Sequence, residues 1–124
     1  MSKILLVEDT PAVRHAVAAA LRDAGHDVHE ARSGSEACCA LERDSFDLLL
    51  LDYLMADMKG DAVARFARAR WTETAVLYLT AYAEFLCLTG KAGEDRLIAK
   101  PFSLEALFQA VEEVMECTPA AQAA

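Results

Sequence analysis

The stretch Asp47-Leu48-Leu49-Leu50-Leu51-Asp52 decides the fold of this chain. Four consecutive leucines show no apolar–polar alternation, so a strand made of them must be covered on both faces. Such strands belong to parallel sheets with helices above and below. The run then stops on a carboxylate, and the question becomes what else stands at that edge.

Working outward, three more short apolar runs stop on chemically useful residues. Ile4-Leu5-Leu6-Val7 ends at Glu8-Asp9, residues 75–79 end at Thr80, and Leu97-Ile98-Ala99 ends at Lys100. Residues 26–31 form a weaker strand candidate with Val28 as its core residue. Helical patterns fall between the runs. Thr10 is placed to cap a helix that begins at Pro11. Val13, Ala16, Val17, Ala20, Leu21 and Ala24 follow the three-four spacing of one buried face, and Gly25 supplies the stop. Ser33 or Ser35 starts a second helix through Ala37, Ala40 and Leu41. Val63, Phe66 and Ala67 mark a third. Ser103 caps the last, built on Leu104, Leu107, Phe108, Val111, Val114 and Met115. Residues 83–92 read as a short helix closed near Gly90 or Gly93.

The order is thus β-α repeated five times. Parallel strands need right-handed crossovers, which place helices on both faces of a five-stranded sheet. The expected fold is a doubly wound α/β sandwich of (βα)5 type. It forms one domain over residues 1–117, with a fraying tail at 118–124. Its ligand site should lie at the carboxyl ends of the strands.

Composition narrows the functional classes. A chain of 124 residues makes one ordinary core. The net charge of −8 opposes nucleic acid binding, which calls for a basic footprint. No apolar run approaches the roughly 20 residues that cross a membrane, and no secretory signal opens the chain, so a cytoplasmic protein is expected. Of the four cysteines, Cys38 and Cys39 are adjacent and Cys87 and Cys117 isolated. None has zinc spacing, and they read as reduced, small apolar side chains. His15, His26 and His29 read as surface residues, Lys59, Arg65, Arg68 and Arg70 as a solvated basic face, and Trp71 as a packing lid.

The strand ends would gather Glu8, Asp9, Asp52, Thr80 and Lys100 into one shallow pocket. Three close carboxylates repel one another unless a cation joins them. An all-oxygen set suits Mg²⁺, which prefers one or two carboxylates, waters and a phosphate, better than zinc. Lys100 is a point charge suited to a phosphoryl oxygen, and Thr80 is able to donate a hydrogen bond to another. Asp52, central in the strand order, is then the nucleophile of choice, since aspartate forms acyl phosphates. Phosphoryl transfer asks mainly for positioning and charge neutralisation.

At this point the chain resembles the receiver domains of bacterial response regulators, over nearly its whole length. The matching pieces are Leu5-Leu6-Val7-Glu8-Asp9, Asp47 through Met55, Gly60, Thr80-Ala81 and Lys100-Pro101-Phe102. The resemblance implies the flavodoxin-like strand order 2-1-3-4-5. It implies Mg²⁺, with Mn²⁺ as a substitute, held by Glu8, Asp9, Asp52 and the Leu54 backbone carbonyl. Phosphoryl contacts fall to Thr80, Ala81 and Lys100, and Leu54 and Tyr82 flank the path of the hydrolytic water. The Lys100-Pro101 bond is expected to be cis. The donor would be a phosphohistidine on a histidine kinase or phosphotransfer protein. The output would be a surface change or onward transfer, read by a protein target through the 82–93 segment and the 97–108 face. No output domain fits within the chain. Such a module is a signalling phosphoacceptor and not an enzyme. A receiver trimmed from a hybrid histidine kinase is the alternative.

The chain departs from the family pattern in places. Ala56 replaces a common proline, and Leu97 stands where many members carry an aromatic switch residue. Two other classes fit less well. A phosphatase of the haloacid-dehalogenase type needs a second acid two residues after its nucleophile, and here that residue is Leu54. A flavin or nucleotide binder wants a glycine-rich phosphate loop after the first strand, and here Glu8-Asp9-Thr10-Pro11 would repel phosphate.

Overall fold

The computed structural model describes residues 2–53, 55–71, 73–81, 96–100 and 102–116. Each apolar run is a strand: β1 (Lys3–Val7), β2 (Asp27–Ala31), β3 (Leu48–Asp52), β4 (Ala75–Ala81) and β5 (Arg96–Lys100). They form one parallel sheet of order β2-β1-β3-β4-β5. β4 extends two residues past the expected run, so Thr80 and Ala81 belong to the strand itself.

Four helices are described: α1 (Pro11–Asp23), α2 (Gly34–Arg43), α3 (Gly60–Arg70) and α4 (Leu104–Glu116). The short helix expected over 83–92, and the tail at 118–124, lie outside the described residues.

Side-chain alternation sorts the helices onto two faces. Leu5, Val7, Leu49, Leu51, Val76 and Tyr78 point to one side and pack with Ala37 and Leu41 of α2 and Val63, Ala64 and Ala67 of α3. Ile4, Leu6, Leu48, Leu50, Leu77 and Leu79 point to the other and meet Val17, Ala18 and Leu21 of α1 and Leu107, Val111 and Val114 of α4. All four leucines of β3 are fully buried, as a two-faced strand requires. Each such side chain contributes about 1.5–3 kcal/mol through removal from water.

The helix ends follow local chemistry. Ser33, and not Ser35, caps α2: its hydroxyl oxygen accepts from the Glu36 N–H at 3.1 Å. Ser103 does the same for α4, accepting from the Ala106 N–H at 3.1 Å. Thr10 occupies the cap position of α1, but its side chain makes no capping bond. Pro11 already removes one of the amides that a cap would serve. α1 stops at Asp23, with Ala24 as its C-cap, because Gly25 takes a left-handed φ of 98°. Trp71 lies at the end of α3 and donates from Nε1 to the Leu41 carbonyl at 2.8 Å, closing one edge of the α2–α3 layer.

Candidate functional site

The parallel register brings three strand ends to one edge. Val7 pairs with Leu51, and Asp52 with Leu79, so Glu8 leaves β1 beside Asp52 at the tip of β3. Glu8, Asp9 and Asp52 each place a carboxylate oxygen within 4.8 Å of the others. Glu8 is fully buried and Asp52 is 7% exposed. Three carboxylates this close, two of them out of water, form an arrangement that a hard cation relieves.

Thr80 is fully buried in β4, paired with Ala99, and Ala81 pairs with Lys100. The sheet thus sets the main chain of Lys100 beside the Thr80-Ala81 step. Leu54, Tyr82, Pro101 and the Lys100 side chain lie outside the described residues. Leu97 pairs with Tyr78 and packs on the α2–α3 side of the sheet. There the Tyr53 and Tyr78 rings meet edge to face, with centroids 6.0 Å apart. The aromatic bulk under this edge is therefore supplied by Tyr53, just past β3, and by Tyr78 of β4.

The main chain just after Asp52 is fixed. The Tyr53 N–H donates to the Leu79 carbonyl at 3.2 Å, and the Gly60 N–H donates to the Tyr53 carbonyl. Beyond it, Asp57 reaches across to α2. Its carboxylate accepts from the Gly34 N–H at 3.0 Å, the Ser35 N–H at 2.8 Å and the Ser35 hydroxyl at 2.8 Å. The Ser35 contacts hold the Asp57 carboxyl below its ordinary pKa against a smaller opposing effect of burial. The loop that follows Asp52 is thereby tied to the start of a neighbouring helix, where an anion is favoured.

Two residues of this edge escaped the sequence reading. Arg14 is buried, and its Nη1 donates to the Glu8 carbonyl at 3.0 Å. Glu30 of β2 receives Arg14 Nε at 3.3 Å, His15 Nδ1 at 2.9 Å and Arg22 Nη1 at 3.1 Å. Partial burial raises the Glu30 carboxyl, but hydrogen bonds from Arg22 and His15 prevail and hold it below its ordinary pKa. A signal was present: Arg14 stands in register with Val17, Ala18 and Leu21 on the buried stripe of α1. An arginine on such a stripe needs buried acceptors. His15 is exposed, as expected, with its Nδ1 2.9 Å from Glu30 Oε1.

Among the described residues, no helix is long and apolar enough to cross a membrane. The family model of the response regulator receiver domain matches residues 4–112. The chain is 37% identical over 107 residues to the transcriptional regulatory protein TrcR of Mycobacterium tuberculosis, covering 85% of this chain and only 42% of TrcR. It is 32% identical over 117 residues to the response regulator receiver protein CpdR of Brucella abortus, covering 93% of this chain and 98% of CpdR. Among solved structures, the response regulator TrrA of Thermotoga maritima, in complex with Mg²⁺–BeF, superposes with a TM-score of 0.82 at 27% identity, over 92% of this chain and 99% of that one. A match that spans both sheet faces and includes the acidic edge admits one assignment: the chain belongs to the response regulator receiver domains.

Proposed function

We propose that this protein is a stand-alone receiver that takes a phosphoryl group from a phosphohistidine onto Asp52, in a reaction dependent on a divalent cation. The observation that carries the reading is the acidic trio. Glu8, Asp9 and Asp52 converge at the carboxyl edge of the sheet, with Thr80 buried on the adjoining strand. The donor set fits Mg²⁺, or Mn²⁺ in its place, because it offers hard carboxylate oxygens alone. Glu8, Asp9, Asp52 and the Leu54 carbonyl would hold the ion, which supplies neutralisation of phosphoryl charge.

Asp52 forms the new bond. One carboxylate oxygen attacks phosphorus, the phosphorus–nitrogen bond of the donor breaks, and its electron pair returns to the imidazole. Thr80, the Ala81 amide and Lys100 bind the transferred oxygens in this reading. Leu54 and Tyr82 flank the approach of the water that later hydrolyses the acyl phosphate. The donor belongs to a histidine kinase or a histidine phosphotransfer protein.

The output is a surface change or onward transfer. Leu104, 51% exposed at the start of α4, gives the 97–108 face an apolar element that supports docking of a protein target there, together with the 82–93 segment. The near-equal span with CpdR supports the stand-alone reading, and a cytoplasmic location belongs to the same proposal. The partial span of TrcR supports the second reading, a receiver cut from a larger protein.

The test is incubation with acetyl phosphate and Mg²⁺, with detection of the added phosphoryl mass. Wild type should gain one phosphoryl group, and Asp52→Ala or chelation of the metal should abolish the gain. A label retained in Asp52→Ala would overturn the assignment.

A further inference from the structure

Among the described residues, Arg14 is the one buried cation, and it stands next to the acidic trio. Its charge is matched by Glu30 at 3.3 Å, but toward the cation site a guanidinium opposes the incoming metal, so charge alone gives it no part in binding the ion. Its hydrogen bonds give it a mechanical part. At this strand end the Glu8 N–H donates to the Ala31 carbonyl, at 3.1 Å. Past it, the Glu8–Asp9 peptide leaves the sheet, and Arg14 Nη1 holds its carbonyl oxygen at 3.0 Å.

The guanidinium is itself held from behind. Nε donates to Glu30 Oε1 at 3.3 Å. Glu30 is anchored by Arg22 Nη1 on its other oxygen at 3.1 Å, while Arg22 Nη2 donates to the Val28 carbonyl at 2.8 Å. The planar fork of arginine suits this two-ended duty, which lysine cannot copy.

We propose that Arg14, braced by Glu30, is a positioning residue for the metal site: it fixes the Glu8–Asp9 peptide plane and so sets where the two carboxylates stand. The proposal rests on the divalent-cation reading of Glu8, Asp9 and Asp52.

Mn²⁺ binding to the full chain, followed by loss of the free-ion electron paramagnetic resonance signal, tests it. Arg14→Lys keeps the charge and loses the fork, and should weaken Mn²⁺ affinity about tenfold, the lower end for a partner that orients a metal ligand. Arg14→Met should weaken it at least as much. Glu30→Ala should weaken affinity in the wild-type background and have no further effect in Arg14→Met, because its action runs through Arg14. Arg65→Met removes an exposed charge of α3 and should leave affinity unchanged.

Electrostatics alone makes the opposite forecast: Arg14→Met would bind Mn²⁺ more tightly and Arg14→Lys as wild type. Either result overturns the proposal. So does a lower Tm with unchanged affinity, which would make Arg14 a strut for stability only. If Arg14→Met does not fold, Arg14→Lys and Glu30→Ala decide the matter. Wild type that takes up no Mn²⁺ refutes the metal reading itself and this proposal with it, whereas wild-type uptake with unaffected variants refutes the positioning role alone.

Discussion

Gly60 opens α3 directly against the main chain of Asp52: a Cβ built at Gly60 would stand 2.7 Å from the Asp52 carbonyl oxygen and 3.0 Å from the Tyr53 Cα. Both neighbours are backbone, so neither is able to swing aside. Gly60→Ala must therefore displace either the start of the helix or the end of β3. Overpacking of this kind costs about 1–3 kcal/mol. The variant should unfold at lower urea than wild type and, because Asp52 moves with its peptide, should accept phosphate from acetyl phosphate more slowly. A wild-type midpoint and rate would show that the contact is not a constraint.

The glycine was legible in the sequence only as a match to a family pattern. Its physical reason, the close approach of helix to strand, depends on packing that no local pattern encodes. Other features needed no structure. The uninterrupted Leu48–Leu51 run required cover on both faces, and the structure supplies α2 and α3 on one side and α1 and α4 on the other. The strand-end acids were legible for the same reason, because parallel order alone brings Glu8, Asp9 and Asp52 to one edge. Arg14, Glu30 and Asp57 were not picked out. Their roles arise from contacts 6 to 23 residues apart in sequence, and an acid in β2 or in a loop carries no local mark of its partner.

Asp57 should make stability depend on pH. Ser35 and the α2 amides favour its ionised form and lower its pKa. A carboxyl with a depressed folded pKa contributes stability that is complete above its unfolded value, roughly 3.9, and is lost as pH falls through the folded value. The group is exposed, so the contribution belongs at the low end of capping energies, about 0.5–1 kcal/mol. Asp57→Asn should therefore be less stable than wild type at pH 7, and the difference should shrink below about pH 4. Urea titrations at pH 7, 5 and 3.5 measure it, and a gap that does not narrow would exclude ionisation as its source.

The two acids after β1 should contribute unequally to cation binding. Glu8 is fully buried, and its Oε1 already accepts the Thr10 N–H at 3.3 Å. Asp9 is the more open of the pair. Asp9→Asn should raise the Mg²⁺ concentration needed for half-maximal phosphorylation by about tenfold or more, at least the cost of losing a partner that merely orients a ligand. Glu8→Gln keeps an acceptor for Thr10 and should have the smaller effect. Equal losses in the two variants, or a larger one in Glu8→Gln, would refute the unequal contribution of the two acids.

The phosphorylated form should decay slowly for a receiver. Hydrolysis needs a water in line with the bond from phosphorus to the Asp52 oxygen, and Asp52 is 93% removed from solvent in the unphosphorylated protein (7% exposed). In our proposal Leu54 and Tyr82 flank the open approach. Leucine has no group to orient a water, and a tyrosine ring is large enough to cover the path. An amide and a carboxylate at these positions would hold a water and help remove its proton. Each 1.4 kcal/mol or so taken from the barrier speeds decay about tenfold, and one well-placed group supplies that much. Leu54→Asn combined with Tyr82→Glu should accelerate loss of phosphate by about tenfold or more. Purified phosphoprotein followed in Mg²⁺ buffer, wild type beside the double variant, gives both rates. Identical decay would mean that these side chains do not gate the water, and the expectation of a long-lived phosphoryl group would fall with it.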